Sequence, residues 1–309
     1  MVALRVALVS TQVLRRGQTS RGEFWLARQE GRMDELHDKY RRLQETIREM
    51  ESVAVAYSGG VDSTFLLKVA LDVLGRDRVL GIIAVSESYP ARELNEARRL
   101  AEEMGARIRL IETEELSNPS YASNPVDRCF HCKTELFTKI FPIAREEGLK
   151  EILYGVNTDD LGDFRPGIQA ARRMGARGPL QEVGLTKNEI RLLSRELGLP
   201  TWDKPAYACL SSRIPYGSRI TREALRQVDE AEAFLHDLGY RQVRVRHHDR
   251  IARIELPRDQ MARLLSDGSA ELVVAKLKEL GYLYVTLDLQ GYRMGSMNEA
   301  IGVAPATSA

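Results

Sequence analysis

Cysteine is scarce in this chain of 309 residues, with Cys129, Cys132 and Cys209 making up the whole set. An odd, sparse set argues against a disulfide framework and for metal binding or reactive thiols. Also missing is any apolar run near the ~20 residues that a bilayer-spanning helix needs. The opening stretch "MVALRVALVSTQVLRRGQTSRG" lacks the long apolar core and small-residue cleavage site of a secretory signal. The expectation is a soluble cytoplasmic protein with no membrane partner. A surplus of either charge is absent too: 45 Lys and Arg stand against 44 Asp and Glu, for a net charge of +1. That balance demands neither a nucleic acid nor an anionic surface as partner. Internal repeats and low-complexity segments are likewise missing.

What is present is length and apolar content. A chain of 34.9 kDa with 43% hydrophobic residues can bury more than one core, and its length suggests about two domains. From Val53 to Val183 strand-like and helix-like pieces alternate. The strand candidates are "VAVAY" (53–57), "VLGIIAV" (79–85), "RIRLIET" (107–113) and "EILYGVN" (151–157). Helical spacing fills Thr64 to Leu74, Ala91 to Met104 and Lys133 to Glu147. This alternation predicts an α/β fold, a parallel sheet flanked by helices, with ligands beyond the carboxyl ends of its strands. Past residue 205 the pattern changes. A helix at Arg222 to Leu238, a hairpin of "QVRVRHH" and "RIARIEL" around Asp249, and a strand-like "YLYVTLDL" (282–289) predict a smaller α+β unit. The expected domains are therefore 33–205 and 206–303. Residues 1–32 form an ill-packed extension ahead of a helical pattern that begins cleanly at Met33, which marks that methionine as a candidate translation start.

The stretch "AYSGGVDSTF" (56–65) sits where the first strand turns into a helix. Gly59 and Gly60 allow positive φ or close approach of a ligand to the backbone. Opening helix amides and the helix dipole favour phosphate oxygens, and Ser58 and Ser63 add hydroxyl donors. Asp62 would repel phosphate unless it holds Mg²⁺, a cation that prefers oxygen ligands and commonly bridges protein to phosphate. The ordinary nucleotide loop G-x-x-x-x-G-K-[ST] is absent, because no lysine follows the glycines. The plainer alternative is a strand-to-helix turn in which Gly permits the bend and Ser caps the helix. The full string "SGGVDS" resembles the PP-loop of the ATP pyrophosphatase superfamily, which cleaves ATP to AMP and pyrophosphate while adenylating a substrate oxygen.

"DRCFHCK" spaces Cys129 and Cys132 so that two thiolates can reach one metal centre; a redox dithiol or half of a zinc site with His131 are the alternatives. Structural zinc normally wants four protein ligands, whereas three thiolates suit a 4Fe-4S cluster with one iron left open. Cys209, in "PAYACLSSRIPYG", is either a small buried apolar residue or, given the polar "SSR" and the turn-forming "IPYG" beside it, a nucleophile or ligand. Arg244 and Arg246 alternate along a strand and share one face, a pattern of either a charged sheet edge or a phosphate site. His247 and His248 point to opposite faces and do not share an ion.

Together "SGGVDS", "GVNTDDLGDFRPG" (155–167), "ACLSSRIPYGSRIT" (208–221), "VRVRHH" with "ARIEL" (243–256) and "GYRMGSMN" (291–298) resemble the LarE family of ATP-dependent sulfur transferases. The resemblance runs over about residues 33 to 303. It implies an enzyme that uses Mg-ATP to adenylate the carboxylates of pyridinium-3,5-biscarboxylic acid mononucleotide and replaces AMP with sulfur, for the nickel-pincer cofactor of lactate racemase. In one-cysteine members the counterpart of Cys209 gives up its own sulfur. This chain departs from them by also carrying Cys129 and Cys132, and is similar to the three-cysteine branch, in which the three hold a 4Fe-4S cluster. The resemblance further implies ATP binding by Ser58, Gly59, Gly60, Asp62, Ser63, Asp159 and Asp160, and substrate binding by Ser212, Arg213, Arg244, Arg246 and Glu255. It implies a sulfide donor, a downstream nickel-insertion enzyme and a homo-oligomer, a hexamer in similar family members. A PP-loop tRNA thiolase is the rival reading, and the charge balance argues against it.

Overall fold

The computed structural model describes residues 21–162, 166–205 and 208–302, with side chains from Met33 onward except at 161 and 162. In chain order the elements are α1 (Arg21–Glu49), β1 (Val53–Ala56), α2 (Val61–Leu74), β2 (Val79–Val85), α3 (Ala91–Glu103), β3 (Arg107–Glu112), α4 (Pro119–Ala122), α5 (Arg128–Glu146), β4 (Glu151–Tyr154), α6 (Pro166–Arg173), α7 (Pro179–Glu182) and α8 (Lys187–Glu196). They are followed by α9 (Arg222–Asp237), β5 (Arg244–His248), β6 (Ile251–Glu255), α10 (Arg258–Ser266), α11 (Ser269–Glu279) and β7 (Tyr284–Leu287). Short 3-10 turns include Glu115–Ser117, Thr158–Gly162, Leu210–Arg213 and Ser296–Ile301. Among the described residues no helix is long and apolar enough to cross a membrane.

The first four strands form one parallel sheet in the order β3-β2-β1-β4, with Val53 opposite Val79 on one side and Glu151 on the other. Period-two alternation sends the side chains of each strand to two different cores. Val53, Val55, Val79 and Ile83 pack with Leu43, Ile47, Phe65 and Leu66 of α1 and α2. Ala54, Leu80, Ile82 and Ile152 pack with Phe137 and Ile140 of α5 on the opposite face. Burial on both faces is why β1 and β2 are near-continuous apolar runs. The strand order reverses at β1, whose neighbours are β2 and β4, and the loops after β1 and β4 therefore open a crevice at the carboxyl edge.

The smaller sheet has the order β5-β6-β7, antiparallel within the hairpin and parallel between β6 and β7. Asp249 makes the hairpin turn at φ +54, a left-handed conformation that aspartate tolerates. One face of this sheet, through Val245, Ala252 and Ile254, packs on Leu235 of α9 and Val273 and Leu277 of α11. The other face carries Arg244, Arg246, Arg253 and Glu255, because Arg244 pairs with Glu255 and Arg246 with Arg253 across the hairpin.

A third apolar cluster joins the two units: Tyr121, Leu210, Ile214, Ile220, Leu225 and Val228, with Leu116 and Cys132 against them. Main-chain bonds stitch the same seam. Gly217 N donates to Asn124 O at 3.0 Å, Ile220 N to Ala122 O at 2.8 Å, and the buried Asn124 amide donates to Ile214 O and Pro215 O.

Three starts differ from the sequence expectation. α1 begins at Arg21, ahead of Met33, while residues 1–20 of the expected extension lie outside the described residues, as do 206 and 207 at the expected boundary. α2 begins at Val61, not Thr64, so Asp62 and Ser63 belong to its first turn. α5 begins at Arg128, not Lys133, and so includes both Cys129 and Cys132. The buried positions of α5 include Arg128, Leu136, Ile140 and Ala144, a run at multiples of four whose first member is a charged residue. A charge in an apolar register conceals the helix start from a search for apolar periodicity.

Candidate active site

The cradle after β1 is shaped by two glycines. Gly59 has φ +62, and a Cβ there would stand 2.6 Å from that of Ala97, so only glycine fits. Across the crevice, a Cβ on Gly155 after β4 would come 2.8 Å from Ser63 N, so glycine lets the two strand ends close on each other. Ser63 Oγ accepts from Ser58 N at 3.2 Å and lies 3.1 Å from Ser58 Oγ, pinning the loop into an arch. Gly60 is the N-cap of α2 with extended backbone and no side chain capping it. The opening amides of α2 have no intrahelical partners and face the crevice mouth with the positive end of the helix dipole. α8 brings a second helix start to the same place through Lys187.

Asp62 stands at the centre. Its Oδ2 accepts from Lys187 Nζ at 2.7 Å and from Asn157 Nδ2 at 3.3 Å, while its Oδ1 is buried with no hydrogen-bond partner among the described residues. A buried carboxylate oxygen without a donor is costly unless a cation completes it. The oxygen-only donor set and the phosphate-type cradle beside it fit Mg²⁺. Asp159 and Asp160 have other roles. Asp160 Oδ2 accepts from Asn157 N at 2.9 Å, and Asp159 Oδ2 accepts from Lys187 N at 2.8 Å. Both carboxylates thus order the segment that presents Asn157 and Lys187, two residues that sequence reasoning missed. "TKNE" signals the capping box of α8, formed by Thr186 and Glu189, but nothing local signals that Lys187 crosses to the cradle.

Lys204 was missed as well. It is buried between Glu93 at 2.7 Å and Glu96 at 2.9 Å, and donates to the carbonyl of Gly59 at 3.3 Å. Burial raises the Glu93 carboxyl above its usual value, and Lys204 pulls it back in part.

The thiols gather on the other side of the segment that follows β2. Cys129 is exposed, and Cys132, three residues on along α5, is half-buried with its Sγ donating to Glu115 Oε1 at 3.7 Å. The same Glu115 oxygen accepts from the hydroxyls of Ser86 at 3.0 Å and Ser88 at 3.3 Å. Ser88 O in turn accepts from Leu210 N at 2.8 Å, which seats the Cys209 turn beside Glu115. Burial pushes the Cys132 thiol far above its ordinary pKa; Lys133 opposes the rise, and the charges of Glu115, Cys209 and Cys129 add to it. Tyr121, which shares a 2.7 Å hydrogen bond with Ser211, is raised by burial and then by Cys209. Cys132 and Tyr121 thus both feel the charge of Cys209. Among the described residues, however, no three His, Cys, Asp or Glu side chains stand close enough to hold a metal ion. As donors the three thiols suit an iron-sulfur centre, and they are neighbours, but they are not closed into a ligating group.

The cradle and the thiols meet through adjacent residues. Tyr89 OH donates to the carbonyl of Ser58 in the cradle at 3.0 Å, while Ser88 carries the bond to the Cys209 turn.

Arg213, expected as a substrate fork, is fully buried, with Nε and a terminal nitrogen donating to the two oxygens of Glu232 at 2.9 and 2.7 Å. Its other terminal nitrogen donates to Ala208 O, Cys209 O and Ser212 Oγ at 2.5, 3.0 and 3.0 Å. Arg213 is thus a strut that fixes the Cys209 turn onto α9, because a buried guanidinium must satisfy its fork locally. Burial would raise the Glu232 carboxyl, but the charge and hydrogen bonds of Arg213 outweigh this and hold it below its usual range.

The shared face expected for Arg244 and Arg246 is present. Arg246 is buried, donating to Glu255 Oε2 at 2.7 Å, Ser296 Oγ at 2.9 Å and Ser212 O at 3.2 Å, with its Nε buried and unpaired among the described residues. Arg253 opposite reaches the second oxygen of Glu255 at 3.3 Å and also has an unpaired Nε. Arg244 lies over the ring of Tyr292. This face looks onto the Cys209 turn through the Arg246–Ser212 bond, and its guanidinium groups are of the kind that bind anions.

The NAD synthase family model matches residues 35–129, which include the cradle and α3. An uncharacterized protein of Synechocystis is 47% identical over 266 residues, covering 86% of this chain and 99% of that protein. The pyridinium-3,5-bisthiocarboxylic acid mononucleotide synthase of Lactiplantibacillus plantarum is 40% identical over 269 residues, 87% of this chain and 97% of that enzyme. An uncharacterized protein of Methanocaldococcus jannaschii is 26% identical over 79% of this chain and 91% of its own length. With 40% identity over 87% of its length and 97% of that enzyme, the chain belongs to the LarE family of pyridinium-3,5-bisthiocarboxylic acid mononucleotide synthases.

Proposed function

We propose that this protein is an ATP-dependent sulfur transferase that converts the carboxylates of pyridinium-3,5-biscarboxylic acid mononucleotide to thiocarboxylates. The observation that carries the reading is the bridge of Ser88 and Tyr89, which puts an activating loop and a set of thiols on one short segment.

A carboxylate is a poor acyl donor because its leaving group would be oxide. Adenylation replaces that with AMP, and a soft sulfur nucleophile then attacks the carbonyl. Ser58, Gly59, Gly60 and Ser63 receive the phosphates of ATP, and the buried Oδ1 of Asp62 takes Mg²⁺. The mononucleotide lies along the face of Arg244, Arg246 and Glu255, with its reacting carboxylate toward Cys209. Binding there exchanges partners: Arg246 turns from Glu255 toward the ligand phosphate. Ser212 and Arg213 hold the turn that presents Cys209. Residues 33–205 thus form the activating domain and 206–303 the domain that receives substrate and presents Cys209.

Cys129, Cys132 and Cys209 would hold a 4Fe-4S cluster, whose open iron, when the cluster is bound, supplies sulfide. Closing the three thiols on it requires Cys132 to leave Glu115 and lose its proton. A sulfide donor upstream and a nickel-inserting enzyme downstream are the partners this chemistry calls for. The test is anaerobic incubation of the reconstituted protein with the mononucleotide, Mg-ATP and sulfide. Thiocarboxylate formed together with AMP and pyrophosphate is expected, and pyrophosphate released with no sulfur in the product overturns the reading.

A further inference from the structure

Of the arginines buried around the Cys209 turn, Arg213 is paired with Glu232 and Arg246 with Glu255. Arg128 is only 6% exposed and lacks such a partner: no carboxylate stands within ion-pair reach of it among the described residues. Its contacts are neutral. A terminal nitrogen donates to Asn124 Oδ1 at 2.9 Å, the guanidinium carbon lies 4.6 Å from the centre of the Tyr216 ring, and Nε is buried with no hydrogen-bond partner among the described residues. Both neighbours are themselves tied down, Asn124 by the carbonyls of Ile214 and Pro215, and Tyr216 by donating its hydroxyl to Asn298 Oδ1 at 3.2 Å. The guanidinium is thus pinned at the first residue of α5, next in sequence to Cys129 and beside the chain that leaves the Cys209 turn. A buried cation without an anion is costly, and the start of a helix is the unfavourable end for a positive charge. Burial works against the charge of Arg128, and the charges that favour it are first that of Cys209 and then that of Cys129, ahead of Tyr216 and Tyr121.

We propose that Arg128 is a positioning residue: it is the built-in counter-ion of the negative charge that Cys129, Cys132 and Cys209 gather when they hold an iron-sulfur centre, and it sets the affinity and reduction potential of that centre. This rests on the reading of the three thiols as cluster ligands. Three thiolates bring more negative charge than the oxidised core brings positive, and an added electron enlarges the excess. A fixed cation beside the ligands therefore stabilises the loaded state over the empty one, and the reduced state over the oxidised one. The guanidinium stays protonated throughout, so its charge is constant while that of its surroundings changes.

The experiment compares Arg128→Gln, which keeps a donor for Asn124, Arg128→Leu and Arg128→Lys with the parent protein after anaerobic reconstitution with iron and sulfide. Urea unfolding of the cluster-free proteins identifies the variants that fold, and neutral replacement of an uncompensated buried charge is commonly tolerated. In the two neutral variants iron release to a chelator should be about ten-fold faster. Their midpoint potential, followed by electron paramagnetic resonance, should fall by ~59 mV or more, a ten-fold change in the ratio of reduced to oxidised centre. Arg128→Lys should stand near the parent in both measurements. A merely structural arginine would lower the urea midpoint of the cluster-free protein and leave the potential unmoved. Parental iron release together with a parental potential in either neutral variant overturns the proposal. A parent protein that takes up no iron overturns it as well, and the failure then lies in the reading of the thiols as ligands.

Discussion

The crevice of the large sheet and the polar face of the small one are both built for anions, yet in opposite ways. In the crevice the donors are backbone amides on an arch that two glycines make possible, and the central carboxylate has an oxygen with no hydrogen-bond partner among the described residues. On the small sheet the donors are buried arginine side chains, each already paired with Glu255, Ser296 or a loop carbonyl. The first site is organised in advance, with a buried carboxylate oxygen that has no partner among the described residues. The second must trade internal ion pairs for the ligand, so its binding energy is a difference between two similar terms. In the proposed function preorganisation would serve the step that cleaves ATP, and exchange the recognition of the molecule that is modified.

Breaking the crevice should have the largest consequence. Asp62→Ala removes the carboxylate at the centre of the arch and should lower pyrophosphate release by about 1,000-fold or more, while leaving iron incorporation intact. Release at the parent rate would deny the crevice its role. Next comes the strut beneath Cys209. Glu232→Ala leaves the fully buried Arg213 without its counter-ion and should cost about 3–5 kcal/mol in urea unfolding of the C-terminal unit. The same pair predicts a pH trend. The Glu232 carboxyl is held below its usual 4.5 in the folded protein, so its contribution is complete above that pH and is lost as pH falls through the lower native value. Unfolding midpoints that do not move more with acid in the parent than in Glu232→Gln would remove this assignment.

The small-sheet face should respond more mildly. Arg246→Ala should weaken mononucleotide binding about 10- to 100-fold by calorimetry and leave ATP affinity nearly unchanged, because only the exchanging site is touched. Equal affinity for the mononucleotide would end the idea of partner exchange. The finest distinction lies among the thiols. In the cluster-free protein iodoacetamide should label exposed Cys129 first and Cys132 last, since burial keeps Cys132 protonated near neutral pH. Rapid labelling of Cys132 would show a different environment around Glu115.

These contrasts also explain what could be read from the sequence. The crevice was legible because its chemistry lies in one contiguous string, and the central strands β1 and β2 were legible because burial makes them apolar throughout, whereas the edge strand β3 alternates charged and apolar residues. Arg244 and Arg246 were placed on one face by period-two alternation alone. Residues that act across long separations were not legible. Lys187, Lys204 and Glu115 each stand in ordinary helical or loop contexts and acquire meaning only when folding brings them to Asp62, Gly59 and Cys132. The pairing of Arg213 was not legible either, because a motif tells that an arginine is present and not whether a glutamate nineteen residues on will pair with it.

The central claim is that the crevice activates a carboxylate and the three neighbouring cysteines repeatedly supply its sulfur. The direct measurement is intact protein mass together with thiocarboxylate yield, after anaerobic turnover with the mononucleotide, Mg-ATP and sulfide. The account predicts several thiocarboxylates per polypeptide and an unchanged mass. A yield that stops at one per chain with a loss of about 34 Da at Cys209, the mass of H₂S, would contradict it by making that cysteine the consumed donor.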